Sequence, residues 1–429
     1  MQIKDLSQHV DNEVTLKGWL NNKRSSGKIA FLEIRDGSGY VQAVASTSDV
    51  STEVWEEIEK ATQESSLEVV GKVVKHPKQE GVYELQVSSF KLFSLAEEYP
   101  ISKKDHGPEF LSDNRHLWLR SKRQWAILRV RDVIISAVNE YFHKESFVKF
   151  DSPILTPNAC EGTTTLFGVP YFDQGEAFLS QSGQLYLEAG IMSLGKCYDF
   201  GPVFRAEKST TKRHLTEFWM MDAEAAFMEH DENVKTQEGL VKYVVSKCLE
   251  ECGEEFKTLE RDLEPLKKVI EKPFTRLTYK ETIEKLNELG SDIKFGEDLG
   301  NDDEGILTKD SDVPIFIEKW PKNIKPFYMK IDPTDETRVL NNDLIGIEGA
   351  GELIGGSQRE DDYEILLSRI KEDGLDEKEY EWYTDLRKYG SVPHSGFGLG
   401  IERMVMWLSG AEHIRECIPF PRRVNRLKP

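Results

Sequence analysis

Cysteine is scarce and scattered. Five occur in 429 residues (Cys160, Cys197, Cys248, Cys252 and Cys417), with no Cys-x-x-Cys pair and no grouping with histidine. That pattern excludes a zinc ribbon or a disulfide framework and fits a reducing compartment, so the expected location is the cytoplasm. Cys248 and Cys252 read as two residues on one helix face. No apolar run is long enough to span a bilayer, and the opening "MQIKDLSQHV" lacks the basic-then-apolar pattern of a leader. Basic charge is in deficit, 56 Lys and Arg against 76 Asp and Glu, for a formal charge of -20. Such a chain is not drawn to phosphate or to anionic membranes by a general field, so any phosphate contact must be a local patch. No GxxxxGK[ST] loop occurs, and no GxGxxG follows a strand inside a βαβ unit. No Ser/His/Asp or Cys/His set suggests covalent catalysis. Internal repeats are absent.

What is present is ample for packing: 38% hydrophobic and 10% aromatic residues. The length predicts two domains. Residues 1–95 read as β, because "EVTLKGWLNNKRSSGKIAFLEIRDGSGYVQAVAS" alternates apolar and polar residues between Ser-Gly and Asp-Gly turns. A helical stretch, "STEVWEEIEKATQES", interrupts the strands. Five strands and one helix match a small Greek-key barrel of the OB type. Residues 96–125 are polar and turn-rich and read as a linker. Residues 126–429 open with a helix ending near Phe147, pass through the extended "VKFDSPILTP", and then mix strands and helices around a charge-rich helical segment at about 230–312. The fold class is α+β, a barrel followed by an antiparallel sheet flanked by helices.

The chemistry concentrates in two places. In "VFRAEKSTTKRHLTEFWMMDAEAAF" (203–227) two apolar strands flank a basic loop, and Arg205 and Glu207 share one strand face by period-two alternation. Isolated, such a pair is a solvated surface pair. Set among Phe200, Phe204, Phe218 and Trp219, it reads as a floor that binds something charged. Arginine grips phosphate through a planar fork, Arg213 and His214 add donors, and Phe218 offers a stacking face. In "HSGFGLGIERMVMWLSG" (394–410) Gly396, Gly398 and Gly400 permit close backbone approach, and Glu402 and Arg403 open a helix.

These residues resemble the class II aminoacyl-tRNA synthetases of the aspartyl, asparaginyl and lysyl subgroup over nearly the whole chain. "FDSPILTP", "FRAE…RHLTEF" and "GFGLGIER" are similar to that family's three motifs in order. The resemblance implies that Arg205 holds the α-phosphate of ATP, Glu207 the adenine amino group, and Arg213 and Arg403 the outer phosphates, with His214 and Gly400 beside them and Phe218 under the base. It implies Mg²⁺ on Glu352 and, with less support, on Asp343. It implies an amino-acid pocket of Glu161, Gln184, Asp222 and Arg359. It implies further that Arg205, Arg403 and Glu352 carry the catalysis, in which an amino-acid carboxylate attacks the α-phosphorus and the acyl group then passes to tRNA. Pro153 lies in the motif that forms a homodimer in the family.

Asparagine is the expected amino acid and aspartate the alternative. Leu187 stands where the aspartyl enzymes carry lysine, and "VPHSGFGLGIER", "WYTDLRKYGS" and "IRECIPFPR" resemble the asparaginyl pattern. Gly355 also departs from the serine of archaeal and eukaryotic aspartyl enzymes. Asp222 points the other way, because the asparaginyl pattern has glutamate there; a non-discriminating aspartyl enzyme is therefore the runner-up. An asparagine synthetase relative would lack the barrel, and an inactive tRNA-binding paralogue would lack Arg205, Glu352 or Arg403. The barrel resembles the subgroup's anticodon-binding domain, with Phe31 stacking on a base, Gln42 reading the central uridine and Arg24 on the backbone beside Lys23 and Lys28.

Overall fold

The computed structural model describes residues 1–102, 104–161 and 165–429. They form two compact units, 1–117 and 118–429.

In the first unit, β1 (Glu13–Ser26), β2 (Ile29–Arg35), β3 (Tyr40–Ser46), β4 (Ser66–Lys75) and β5 (Tyr83–Ser94) close into a barrel in the order β1-β2-β3-β5-β4. The alternation seen in the sequence is the reason. Leu16, Leu20, Ala30, Leu32, Ile34, Ala43 and Ala45 all point inward and are wholly buried, while their neighbours face outward. A helix, α1 (Thr52–Lys60), is capped by Ser51, whose side chain accepts from the Val54 N–H, and it presses Ile58 onto the core. The segment after β5, read from the sequence as a turn-rich linker, contains two short helices, Pro108–Asp113 and Arg115–Trp118. They are too short to show a 3.6-residue period, which is why the sequence hid them.

The second unit opens with α2 (Lys122–Lys144), whose Ile127, Val130, Ile134 and Val138 recur at helical spacing and lie in the core. Then come β6 (Val148–Lys149), β7 (Leu155–Thr156), β8 (Gly168–Pro170), β9 (Glu176–Leu179), α3 (Gln184–Leu194), β10 (Lys196–Phe204), β11 (Glu217–Ala226) and α4 (His230–Glu251). Further on are β12 (Thr275–Thr278), α5 (Asn301–Thr308), β13 (Ile315–Glu318), β14 (Asn341–Gly346), β15 (Gly351–Gln358), β16 (His394–Gly400) and α6 (Ile401–Ser409). Eight strands make the main sheet, ordered β12-β13-β14-β15-β16-β11-β10-β6, antiparallel through the middle with one parallel pair at each edge. Helices α2, α4 and α6 pack their apolar stripes on one face. The charge-rich segment is therefore anchored: α4 buries Leu240, Val241, Val244 and Val245, and β12 extends the sheet. All five cysteines are buried, Cys248 and Cys252 included. No helix among the described residues is long and apolar enough to cross a membrane.

One expectation needs correcting. Strand β10 ends at Phe204, so Arg205 and Glu207 do not share a strand face; they stand on the loop 205–216. The Arg205 N–H still pairs with the Thr216 carbonyl at 3.0 Å, but the Ala206 N–H turns to the Thr165 carbonyl at 2.8 Å and the hairpin ladder stops.

Candidate active site and nucleic-acid interface

The antiparallel centre of the sheet leaves its second face open to a cleft of about 500 Å³, lined by β11, β15 and β16, the 205–216 loop and the start of α6. All of the catalytic-unit candidates line it: Glu161, Gln184, Arg205, Glu207, Arg213, His214, Phe218, Asp222, Asp343, Glu352, Arg359, Gly400 and Arg403. The glycines explain the openness. A Cβ at Gly398 would lie 2.6 Å from an Asp222 oxygen, and one at Gly355 would lie 2.9 Å from a Glu352 oxygen and 3.9 Å from an Asp343 oxygen. Glycine at these two positions leaves room for the Asp222 and Glu352 carboxylates as they stand.

At one end sit the phosphate-type donors. Burial works against the Arg205 cation, but the carboxylates of Glu161, Glu207 and Glu352 outweigh it and hold the guanidinium charged. Its Nε is buried without a hydrogen-bond partner, and its Cζ lies 5.5 Å from the Phe218 ring centroid. Arg403 Nη1 donates to the Glu352 carbonyl at 2.6 Å and lies 3.6 Å from its carboxylate. His214 Nε2 is 3.5 Å from Glu207, and burial lowers the imidazole pKa, with Glu207 opposing and the three arginines reinforcing. Arg213 reaches across to α5, 2.7 Å from Glu304 and hydrogen-bonded to Asn301. Asp343 carries a partner the sequence did not suggest, the Lys325 ammonium at 2.6 Å. Burial raises the Asp343 carboxyl to about 7, with Lys325 opposing and Glu352 reinforcing.

The other end is a buried polar pocket. Asp222 accepts from Ser182 Oγ at 3.0 Å and from the Gly183 N–H at 2.8 Å, and burial pushes its carboxyl up to about 6 against those hydrogen bonds. Ser182 thus holds a pocket acid in place. Glu161 accepts from the Tyr328 hydroxyl at 3.1 Å, and Gln184 donates to Glu188 at 3.2 Å. Arg359 is held by Glu224, with Nε donating at 3.0 Å and Nη2 also bonded, while Nη1 donates to Ser357 at 2.7 Å. Both members of this pair are buried. Behind it, Glu188 gathers Arg387 at 2.7 Å, His394 at 2.9 Å and Tyr383 at 2.8 Å. Sequence reasoning missed Glu224, Lys325, Tyr328 and Glu304. For Glu224 a signal existed: it lies two residues after Asp222, on the same strand face. Leu187 packs with Ile191 and Cys197 in an apolar cluster and does not line the cleft.

On the barrel, Phe31, Gln42 and Arg24 surround a separate depression of about 130 Å³ with Asn22, Glu33, Tyr40 and Val41. Phe31 lies between the inward-facing Ala30 and Leu32 and so points out of the core. Gln42 donates to Glu84 at 2.6 Å. Lys23 does not join a basic cluster; its ammonium donates to the carbonyls of Ile58 and Glu59 on α1 at 2.9 and 2.7 Å.

Comparison with known proteins agrees with this geometry. Residues 107–424 match the family described as tRNA synthetases class II (D, K and N), and residues 14–93 match the OB-fold nucleic acid binding domain. The asparaginyl-tRNA synthetase from Pyrococcus horikoshii, complexed with asparaginyl-adenylate, is similar with a TM-score of 0.95 and 44% identity, over 100% of this chain and 99% of that one. The Entamoeba histolytica asparaginyl-tRNA synthetase in complex with asparaginyl-adenylate follows with a TM-score of 0.90 and 33% identity, over 100% and 99%. The aspartyl tRNA synthetase from Entamoeba histolytica is more distant, with a TM-score of 0.85 and 28% identity over 100% and 92%. With its fold, its arginine-lined cleft and these matches together, the chain belongs to the class II tRNA synthetases of the D, K and N group.

Proposed function

We propose that this protein ligates asparagine to its tRNA through an asparaginyl-adenylate, consuming ATP and releasing AMP and pyrophosphate. The observation that carries the reading is the joining, in one cleft, of phosphate-type arginines with Arg359, whose partner Glu224 is buried behind it. A lone buried arginine would call for a carboxylate ligand. Here Glu224 already neutralises it, so an incoming aspartate side chain finds no unpaired positive charge to offset its own. An amide needs one donor and one acceptor; Arg359 has N–H groups to spare, and the adjoining acids accept. Glu161 and Gln184 receive the α-ammonium.

Adenylate formation then needs no protein nucleophile, because the asparagine carboxylate is itself the attacking group. The chain's task is to align that carboxylate with the α-phosphorus and to neutralise charge on the in-line transition state. Arg205 takes the α-phosphate, Arg213, His214 and Arg403 the outer phosphates, and Phe218 and Glu207 the adenine. Mg²⁺ fits the donor chemistry at Glu352, a hard oxygen ligand facing the notch at Gly355; Asp343 shares that notch with Lys325 as its counter-ion. Among the described residues no three acids, histidines or cysteines converge on a point, so the substrate's phosphates would complete the ion's shell. When bound, the ion offsets triphosphate charge.

Asparagine-dependent exchange of pyrophosphate into ATP tests the reading. Exchange with asparagine and not with aspartate is expected; equal or greater exchange with aspartate overturns the choice. On the barrel, Phe31 stacks on an anticodon base while Gln42 and Arg24 contact an edge and a phosphate. Phe31→Ala accordingly raises the KM for tRNA by about tenfold in aminoacylation and leaves pyrophosphate exchange unchanged. The protein works as a homodimer in the cytoplasm. Val148, Ile154 and Leu155, all exposed around Pro153 near the edge strand β6, supply an apolar face for the second copy. Sedimentation at the mass of one chain would sink the dimer.

A further inference from the structure

The charge-rich segment before residue 312 had no assigned role in the sequence. Its helix α5 places Glu304 and Asn301 against the guanidinium of Arg213, at the end of the 205–216 loop. The contact is a built one. Both charged side chains are largely buried, at 11% and 13% exposure. The backbone opposite makes a notch for them: Gly351, at φ +74°, has no Cβ, and one placed there would lie 1.6 Å from Arg213 Nη1 and 3.1 Å from Glu304 Oε2. A left-handed glycine on one side, and an acid and an amide one turn apart on α5, therefore fix the direction of one guanidinium.

We infer that Glu304, with Asn301, is a positioning residue that aims Arg213 at the outer phosphates of ATP, so that helix α5 sets the cleft's grip on the triphosphate. A guanidinium has more donors than Glu304 and Asn301 occupy, which leaves N–H groups free to turn towards phosphate oxygens. Without the carboxylate, the long side chain samples many rotamers and must be ordered anew each time the nucleotide binds. The inference rests on the proposed placement of the outer phosphates at Arg213, and it predicts a selective effect. AMP, which lacks those phosphates, does not feel Glu304.

Isothermal titration of ATP and of AMP into the full-length protein, with magnesium present, reads this directly. Glu304→Gln keeps size and removes charge; it should weaken ATP on the order of tenfold and leave AMP unchanged. Glu304→Asp should fall between it and the parent. In Arg213→Gln the further change Glu304→Gln should cost nothing more. Equal weakening of ATP and AMP would mean a merely structural helix, and unchanged ATP affinity would overturn the inference outright. Because the readout is nucleotide binding, a parent protein that binds ATP but shows no asparagine-dependent exchange would sink the substrate assignment while leaving this test intact. A parent that binds neither nucleotide would overturn both.

Discussion

Arg205→Ala lowers asparagine-dependent pyrophosphate exchange by about 10²–10³-fold, the loss expected when one preorganised donor is removed from a transition state that gathers negative charge. The expectation follows from how the structure treats this side chain. Three carboxylates keep it cationic against burial, yet its Nε has no protein partner. A buried charged donor left open in this way is costly unless a ligand completes it. The fall should appear mainly in kcat, because the interaction strengthens as the α-phosphorus becomes five-coordinate. Arg205→Lys should rescue little, since an ammonium cannot bridge two oxygens with fixed geometry. Retention of more than a tenth of the parent activity by Arg205→Ala, in a protein whose thermal unfolding is unchanged, would remove Arg205 from the chemistry.

The second large effect is on stability. Arg359→Leu destabilises the protein by about 3–5 kcal/mol, because it strands the Glu224 carboxyl in a buried pocket. Burial pushes that carboxyl up, and the Arg359 fork opposes the rise. Without the arginine, Glu224 binds a proton more tightly in the folded protein than in the unfolded chain. Stability of the variant must therefore fall as pH rises, as the proton is withdrawn from a group with no counter-ion. Urea unfolding in mildly acidic and in alkaline buffer checks the slope. Arg359→Leu combined with Glu224→Leu should regain most of the stability and lose the slope, yet show no asparagine-dependent exchange. If the double variant is no more stable than the single one, the cost lies in packing and not in the stranded charge. If it still activates asparagine, the pair does not recognise the substrate.

The two predictions divide along the line between what could and could not be read from the chain. Arg205 and Arg403 stand in compact motifs where a few neighbouring residues declare the chemistry, and both reach the same cleft. The barrel was legible for a similar reason, since a period of two over short runs is a local property that survives folding. The hairpin was legible only in part: the apolar runs were plain, but the ladder's end after Phe204 depends on the Thr165 carbonyl, which captures the Ala206 N–H. Lys23 adjoins Arg24 in the sequence, but its ammonium is taken by α1.

By itself the sequence determined the two folding units' character, the arginine and carboxylate inventory, and the family, because helix and strand periods and short motifs are encoded between near neighbours. Only the tertiary structure decided which charges meet. Glu224 neutralises Arg359, Lys325 claims Asp343, and Glu304 from helix α5 aims Arg213. Ion pairing depends on distance in space and on loss of water, and neither is written in the spacing of residues along a chain.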